Sequence, residues 1–439
     1  MSSRSAAAIS KFGRRTLSRM GCGAVSRTAL VFVGLGSLAM HGNAHATDGY
    51  FSGGYGTQSN GIAGAGVAYP KDALAIANNP AAAFDLGDRT DVSLDIMMAD
   101  RHASLIGNAS GPDQTFNGNG GGPSPLLEFG LTRRLGDKWA YGVALYENGV
   151  LTNYKNNPFA RFGGSGTGGA TLAQAIVSPT VAYEIVPGQS IGIAFDVGGQ
   201  LFKVRGIQPF SQLSTDPAHF SNVGSALALG YGFKIGYLGQ LTPRLSIGTF
   251  YQSRTYSQRF GRYAGLLVGG GSFDIPTTYG AGIAFKATDQ LDLIADVHEI
   301  DYGEVRATAD PLSLLLNGHD FGTADGPGFG WRNITTVKLG ANYRINPAWQ
   351  VRAGWGYATD PIPSSQTLLS ILAPAVVQNQ FTIGATWTRP SGFELSAYVL
   401  DAPRKTIMGS GSIPAAFGGG EANISLGEIA FGIGLGWNE

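Results

Sequence analysis

The chain has one cysteine, Cys22, among 439 residues, so no disulfide framework holds it together. Only 14% of its residues are charged, and 30 bases balance 30 acids; nothing in this balance suits a nucleic-acid backbone. Beyond the N-terminal region no run of 18 apolar residues occurs, which excludes a helical membrane protein. Metal-binding patterns are missing as well. His102, His219, His298 and His319 do not pair at ligand spacing, and neither His-Glu-x-x-His nor Cys-x-x-Cys is present, so no metal or other cofactor is expected. What the chain has in quantity is glycine, 67 residues of it.

The N-terminus reads as a secretory signal. Arg4, Lys11, Arg14, Arg15, Arg19 and Arg27 form a basic region without an acid, Thr28 to Met40 is a short apolar run, and Ala44-His45-Ala46 is an A-x-A cleavage site. Arg14-Arg15 is not continued as a twin-arginine motif is, and Cys22 precedes the apolar run, against lipoprotein processing. Cleavage before Thr47 removes six bases from 30, leaving 24 against 30 acids and no cysteine. The exported chain is then slightly acidic.

Residues 47–88 begin with a tract too small to build its own core: Asn60-Gly61-Ile62-Ala63-Gly64-Ala65-Gly66-Val67-Ala68. Such a segment either stays a flexible linker or is packed inside something else. Asp72 to Asn78 reads as a short helix with Asp72 as N-cap, ended by Asn79-Pro80 ahead of Ala81. The reading adopted is a plug inside a cylinder formed by residues 89–439, after a signal of residues 1–46.

Period-2 segments come in pairs after Asp88. Tight reversals are expected at Gly136-Asp137-Lys138, Pro187-Gly188-Gln189, Thr242-Pro243-Arg244, Thr288-Asp289-Gln290, Asn346-Pro347-Ala348 and Pro390-Ser391-Gly392. Seven longer connections alternate with them, near 106–124, 152–170, 207–225, 260–276, 307–332, 361–378 and 406–422. Six turns and seven loops require 14 strands. One short side and one long side is the asymmetry of an outer-membrane barrel with a periplasmic short side. Alternation gives the faces: Ile191, Ile193, Phe195 and Val197 oppose Gly192, Ala194 and Asp196, and Trp349, Val351 and Ala353 oppose Gln350 and Arg352. A soluble sandwich has the same period. Trp139, Trp349, Trp387 and Trp437, all near short turns or the C-terminus, form the girdle that an interface favours. The fold class is therefore all-β: a 14-stranded antiparallel transmembrane barrel with an N-terminal plug.

Candidate chemistry is sparse. His298 shares a face with Asp292 and Asp296 and is expected to point into the lumen, as are Lys203, Lys338, Arg344 and Arg352. These cations either receive an amphipathic anion or satisfy acids such as Asp196, Asp292 and Glu394 across the lumen. A hydrolase would need a serine and a histidine near the outer rim. Two apolar stretches, Leu368 to Val377 and Pro311 to Leu316, lie in outer loops, as binding surface or as mutual packing.

The ordered set of Asp72-Ala73, Asn79-Pro80-Ala81, Gly326-Pro327-Gly328-Phe329-Gly330-Trp331-Arg332, Ile362-Pro363-Ser364-Ser365-Gln366, Ile371-Leu372-Ala373-Pro374, Gly409-Ser410-Gly411-Ser412-Ile413-Pro414 and Phe417 to Asn423 resembles the FadL/TodX outer-membrane transporters of long-chain fatty acids and hydrocarbons. The resemblance spans the whole exported chain. It implies capture of a hydrophobic ligand by outer loops, transfer to a lumen pocket, rearrangement of the plug (the hatch) and sideways release at a kink in the third strand. That strand runs from Trp139 to about Val150, with Gly142 or Asn148-Gly149 as seats for the kink. The chain departs from barrels that end on an aromatic residue by ending Gly436-Trp437-Asn438-Glu439.

The expectation is a passive, non-enzymatic channel in a Gram-negative outer membrane, surrounded by lipid and lipopolysaccharide and inserted by the barrel-assembly machinery. Its ligand is expected to be a long-chain fatty acid. The alternatives are an aromatic or alkane hydrocarbon, or an outer-membrane enzyme or adhesin on the same scaffold.

Overall fold

The computed structural model describes residues 48–438. The signal, Thr47 and Glu439 lie outside the described residues. Asp48 to Asp88 holds three one-turn helices, α1 (Thr57–Asn60), α2 (Ala75–Asn78) and α3 (Ala82–Leu86). The wall begins with β1 (Arg89–Ile106), β2 (Ser124–Leu135), β3 (Trp139–Leu151), β4 (Gly169–Val186) and β5 (Gln189–Arg205). It continues through β6 (Ala226–Thr242), β7 (Leu245–Gln252), β8 (Thr278–Lys286), β9 (Leu291–Ile300) and β10 (Ile334–Asn346). It ends with β11 (Trp349–Ala358), β12 (Asn379–Thr388), β13 (Phe393–Ile407) and β14 (Glu421–Asn438). Gln114–Asn117 and Tyr256–Ser257 are short ribbons laid on β1 and β6.

Each wall strand pairs antiparallel with the next, and β14 returns to β1 in unbroken register from Arg89↔Asn438 to Ile106↔Glu421. Closure leaves the sheet no free edge along most of its height, and paired ladder groups need no water, as a bilayer demands. All six tight reversals fall where the sequence places them, and the long connections are all at the other end.

Side chains sort by parity. Ile193, Phe195, Ile283, Ile383 and Ile433 are 48–65% exposed on the outside, a face that only lipid can cover. At the short-turn end, register aligns Trp139, Tyr183, Ile191 and Tyr237 in one row, Trp349 with Trp387, and Phe393 with Trp437.

The lumen is full. Asp48 to Asp88 fills the inner half and the loops fill the outer half. Small residues are needed because the two backbones nearly touch: a β-carbon at Gly192 would lie 2.3 Å from the Pro80 carbonyl carbon, and one at Gly248 2.3 Å from the Val67 oxygen. Glycine in the wall therefore makes the socket and glycine in the hatch makes the insert. Two sequence readings change. The helix is one turn, Ala75–Asn78, and Asp72 does not cap it; its carboxylate instead accepts from the Gln58 N–H. Leu368 to Val377 turns inward and is buried, so mutual packing describes it and a surface facing the medium does not.

Candidate functional site

The outer loops build an apolar crevice. Leu266, Leu267, Phe321, Phe329, Leu369 and Leu372 line a cavity of about 20 Å³ that no charged side chain enters. Such a space holds about one water molecule, so a hydrocarbon-sized ligand must part its walls. Hydrogen bonds hold those walls together: Phe321 N–H donates to Leu213 O, and Gly269 N–H to Thr323 O.

From the crevice an aromatic column runs down to the hatch. Phe329 meets Trp331 at 6.0 Å, Trp331 meets Tyr302 at 5.4 Å, and Tyr302 meets Tyr50 of the hatch edge-on at 4.9 Å. Phe273 adds to the same ring set, 6.0 Å from Tyr50. The Tyr302 hydroxyl accepts from the Tyr50 N–H at 2.9 Å and donates to Asp48 O at 2.9 Å. Gly49, at φ +75°, leaves the space that the Tyr302 ring occupies. The tip of the hatch is thus also the floor of the column.

Below the tip the hatch is seated by wall carboxylates, which accept from its N–H groups. Glu128 accepts from Gly56 N–H at 2.8 Å, Asp296 from Gly66 and Val67 N–H at 2.6 and 3.0 Å, and Asp91 from Ala73 N–H at 2.7 Å. Side chains add to this: Gln58 donates to Glu394, Asn60 to Asp95 and Tyr69 to Asp292. Each gives a hatch donor that water cannot reach an acceptor on the wall. Asn79 donates to both Val67 O and Tyr237 O at 2.9 Å, and accepts from Ala81 N–H. Asn79-Pro80-Ala81 thus pins the hatch to β6.

The candidate lumen residues divide. Lys338 pairs with Asp48 at 2.8 Å and donates to Gly53 O. Arg352 donates to Gln58 and Thr386. Both bind hatch or wall and, among the described residues, form no ion pair with Asp196, Asp292 or Glu394; Asp196 accepts from Ser178, and Glu394 pairs with a different cation, Arg89. His298 and Lys338 line a cavity of about 40 Å³ under the hatch tip, where the His298 ring stands edge-on to Phe250 at 5.2 Å. Arg344 is half-buried at the inner mouth and donates to Asp289 O in the turn after β8. Lys203 is a correction. It shares parity with Ile191 and Phe195, while its neighbours Phe202 and Val204 are buried, so it lies on the outer face of the wall.

At the third strand the ladder opens. β3 pairs with β2 only from Trp139 to Leu145, yet stays paired with β4 to Leu151, so Tyr146 to Leu151 leave β2. Hatch residues bind this departing half: Gly149 N–H donates to Tyr50 O at 2.8 Å, and Asn148 Oδ1 accepts from Ser52 N–H and the Tyr55 hydroxyl. Gly149 has φ +148°. Gly142 is the second correction: it lies in regular pairing on both sides and seats Ile76 of the hatch, so it makes no bend.

A closed barrel, a hatch seated on its wall and an apolar entry above it describe a plugged channel, and comparison supplies the lineage. A family model described as outer membrane protein transport protein (OMPP1/FadL/TodX) matches residues 44–397. The chain belongs to the FadL/TodX family. It is therefore an outer-membrane β-barrel channel of a family that transports hydrophobic compounds. Solved FadL/TodX relatives share the fold at low identity. The P. putida toluene transporter TodX is 17% identical, with TM-score 0.65 over 88% of this chain and 99% of its own. A Pseudomonas aeruginosa FadL homologue is 17% identical, with TM-score 0.67 over 89% and 99%. The Ralstonia pickettii toluene transporter TbuX is 18% identical, with TM-score 0.62 over 88% and 99%. No curated protein sequence matches the chain.

Sequence reasoning missed several members of this FadL-type site. The aromatic column is one, and Lys234 is another. Lys234 is fully buried; its Nζ donates to Ala77 O at the end of α2 and, at 3.2 Å, to the Tyr146 hydroxyl on the departing half of β3. Its inward parity opposite Leu227, Tyr231 and Phe233 was available as a signal.

Proposed function

We propose that the exported chain, freed of residues 1–46, takes up hydrophobic small molecules passively by loop capture, passage along the aromatic column, hatch rearrangement and lateral release where β3 leaves β2. The observation that carries this is the column itself, an unbroken set of ring contacts from an uncharged crevice to the hatch tip. An apolar solute is excluded from a dense sugar layer, and a protein path of like polarity substitutes for the missing medium. Because Tyr50 belongs both to the column and to the hatch, a ligand wedged against it competes with the contacts that seat the hatch. Only contacts better made in the open state shift that equilibrium.

Long-chain fatty acids and neutral hydrocarbons both suit such a path. The second is favoured by one observation: Lys338 and Arg352, the cations a carboxylate would seek, are bound to the hatch or its neighbours. Liposomes with a lipopolysaccharide outer leaflet should admit toluene faster when they contain the purified chain than when empty, and Trp331→Ala should reduce that rate several-fold while the barrel stays folded. Equal rates in channel-containing and empty liposomes, for toluene and for a fatty acid alike, would end this reading.

A further inference from the structure

The transport route leaves Lys203 and Arg205 unused. Both sit on the outer face of β5, since Phe202 and Val204 face inward, where Phe202 packs edge-on against Tyr263 at 4.9 Å. Their height comes from the strand. Ile191 belongs to the inner row with Trp139, Tyr183 and Tyr237, and Lys203 is the twelfth residue beyond it. At ~3.3 Å per residue and a tilt of ~40°, this lifts Lys203 roughly 30 Å above that row, past an apolar band ~25 Å tall. One rung lower, Leu201 pairs with Leu227, which is 60% exposed. Greasy surface therefore gives way to cations at the level of the outer-leaflet head groups.

The surroundings carry the same sign. Arg205 reaches Asn153 at 3.4 Å, and Lys155 is exposed two residues farther along that loop. Glu147, the acid of β3, is buried and level with Gly199, four residues lower on β5. Residues 107–123, 152–168, 203–225 and 253–277 together hold seven bases and three acids, whereas 299–333, 359–378 and 401–421 hold four bases and nine acids. The outer rim is thus basic on one side and acidic on the other.

We infer that Lys203 and Arg205, with Lys155 above them, form a site for the phosphate groups of an anionic glycolipid of the outer leaflet, whose acyl chains lie on Leu201, Leu227 and Leu229. Two cations at i and i+2 on one strand face are ~6.6 Å apart, a spacing at which one phosphate can take both or two phosphates one each. The site lies two strands from the place where β3 leaves β2, so it stations a charged lipid beside that opening. The inference rests on the position of the barrel in the outer membrane and is independent of which ligand crosses it.

The test is binding of bisphosphorylated lipid A to the full exported chain in neutral detergent, measured by native mass spectrometry. Lys203→Ala/Arg205→Ala should bind at least tenfold more weakly than the parent, and Lys203→Arg/Arg205→Lys should bind like the parent. Dephosphorylated lipid A should bind the parent as weakly as lipid A binds the alanine pair, and millimolar inorganic phosphate should not displace the lipid. Lys405→Ala, on the acidic side, should change nothing. Parent-like binding by a folded alanine pair, or by its Lys203→Gln/Arg205→Gln counterpart if the alanine pair does not fold, overturns the site. So does equal binding of the dephosphorylated lipid.

Discussion

Lys234 joins three parts of the molecule that the proposed hatch rearrangement would move apart. Its ammonium holds the Ala77 carbonyl of α2, the Tyr146 hydroxyl of β3 and, through the Tyr146 ring 4.4 Å from the tilted ring of Tyr55, the leading part of the hatch. Losing a buried charge-assisted bond costs roughly 1.5–3 kcal/mol, which is about tenfold or more in the ratio of open to closed hatch. Lys234→Met should therefore raise small-ion conductance in planar bilayers by about that factor, with Lys234→Arg intermediate and heat-modifiable migration of the barrel unchanged; wild-type conductance in the methionine variant would remove Lys234 from the latch. Parity alone makes Lys234 legible as inward, but its partners are 157 and 88 residues away, and a single sequence has no mark of contacts that distant. Lys203 fails in the opposite way. Charge marks the lumen only within the apolar band, and above it the outer face is polar too.

At the scale of elements, strands and turns were readable because each is set locally: period-2 alternation fixes the face, and Gly, Pro, Asn or Asp fixes the reversal. The hatch was readable as something packed inside, from its lack of bulky side chains, but its seat was not, since the seat consists of wall carboxylates meeting backbone N–H groups. Gly248→Ala puts a methyl 2.3 Å from Val67 O, backbone against backbone with no side chain to yield; the hatch should lift, with faster protease cleavage between Asn60 and Asp88 than in the parent. Burial, and after it the neighbouring Asp91, pushes the Asp72 carboxyl up from the usual 3.8 to about 7. A seated hatch therefore holds that proton more tightly than a released one, and seating is favoured below pH 4 and weakens as pH rises toward 7. Conductance should climb over that window and level off above it, and Asp72→Asn should flatten the climb.

For the whole molecule, wall and hatch are energetically separable in one direction only. The wall closes through its own ladder from β1 to β14, so deleting residues 47–81 should leave a barrel that still inserts and resists heat in detergent while leaking small polar solutes; unchanged conductance would show that the hatch does not block the pore. The hatch alone has three one-turn helices and cannot bury a core. Its shape is held by the socket. The match between the two is recorded in side chains that are not there, at Gly192, Gly236 and Gly248 on one partner and in the glycine tract on the other. A mould keeps its form in its hollows. Transplanting the stopper of a distant cousin into this cylinder should therefore fail wherever a single extra carbon fills one of those hollows, even when every charged anchor is preserved.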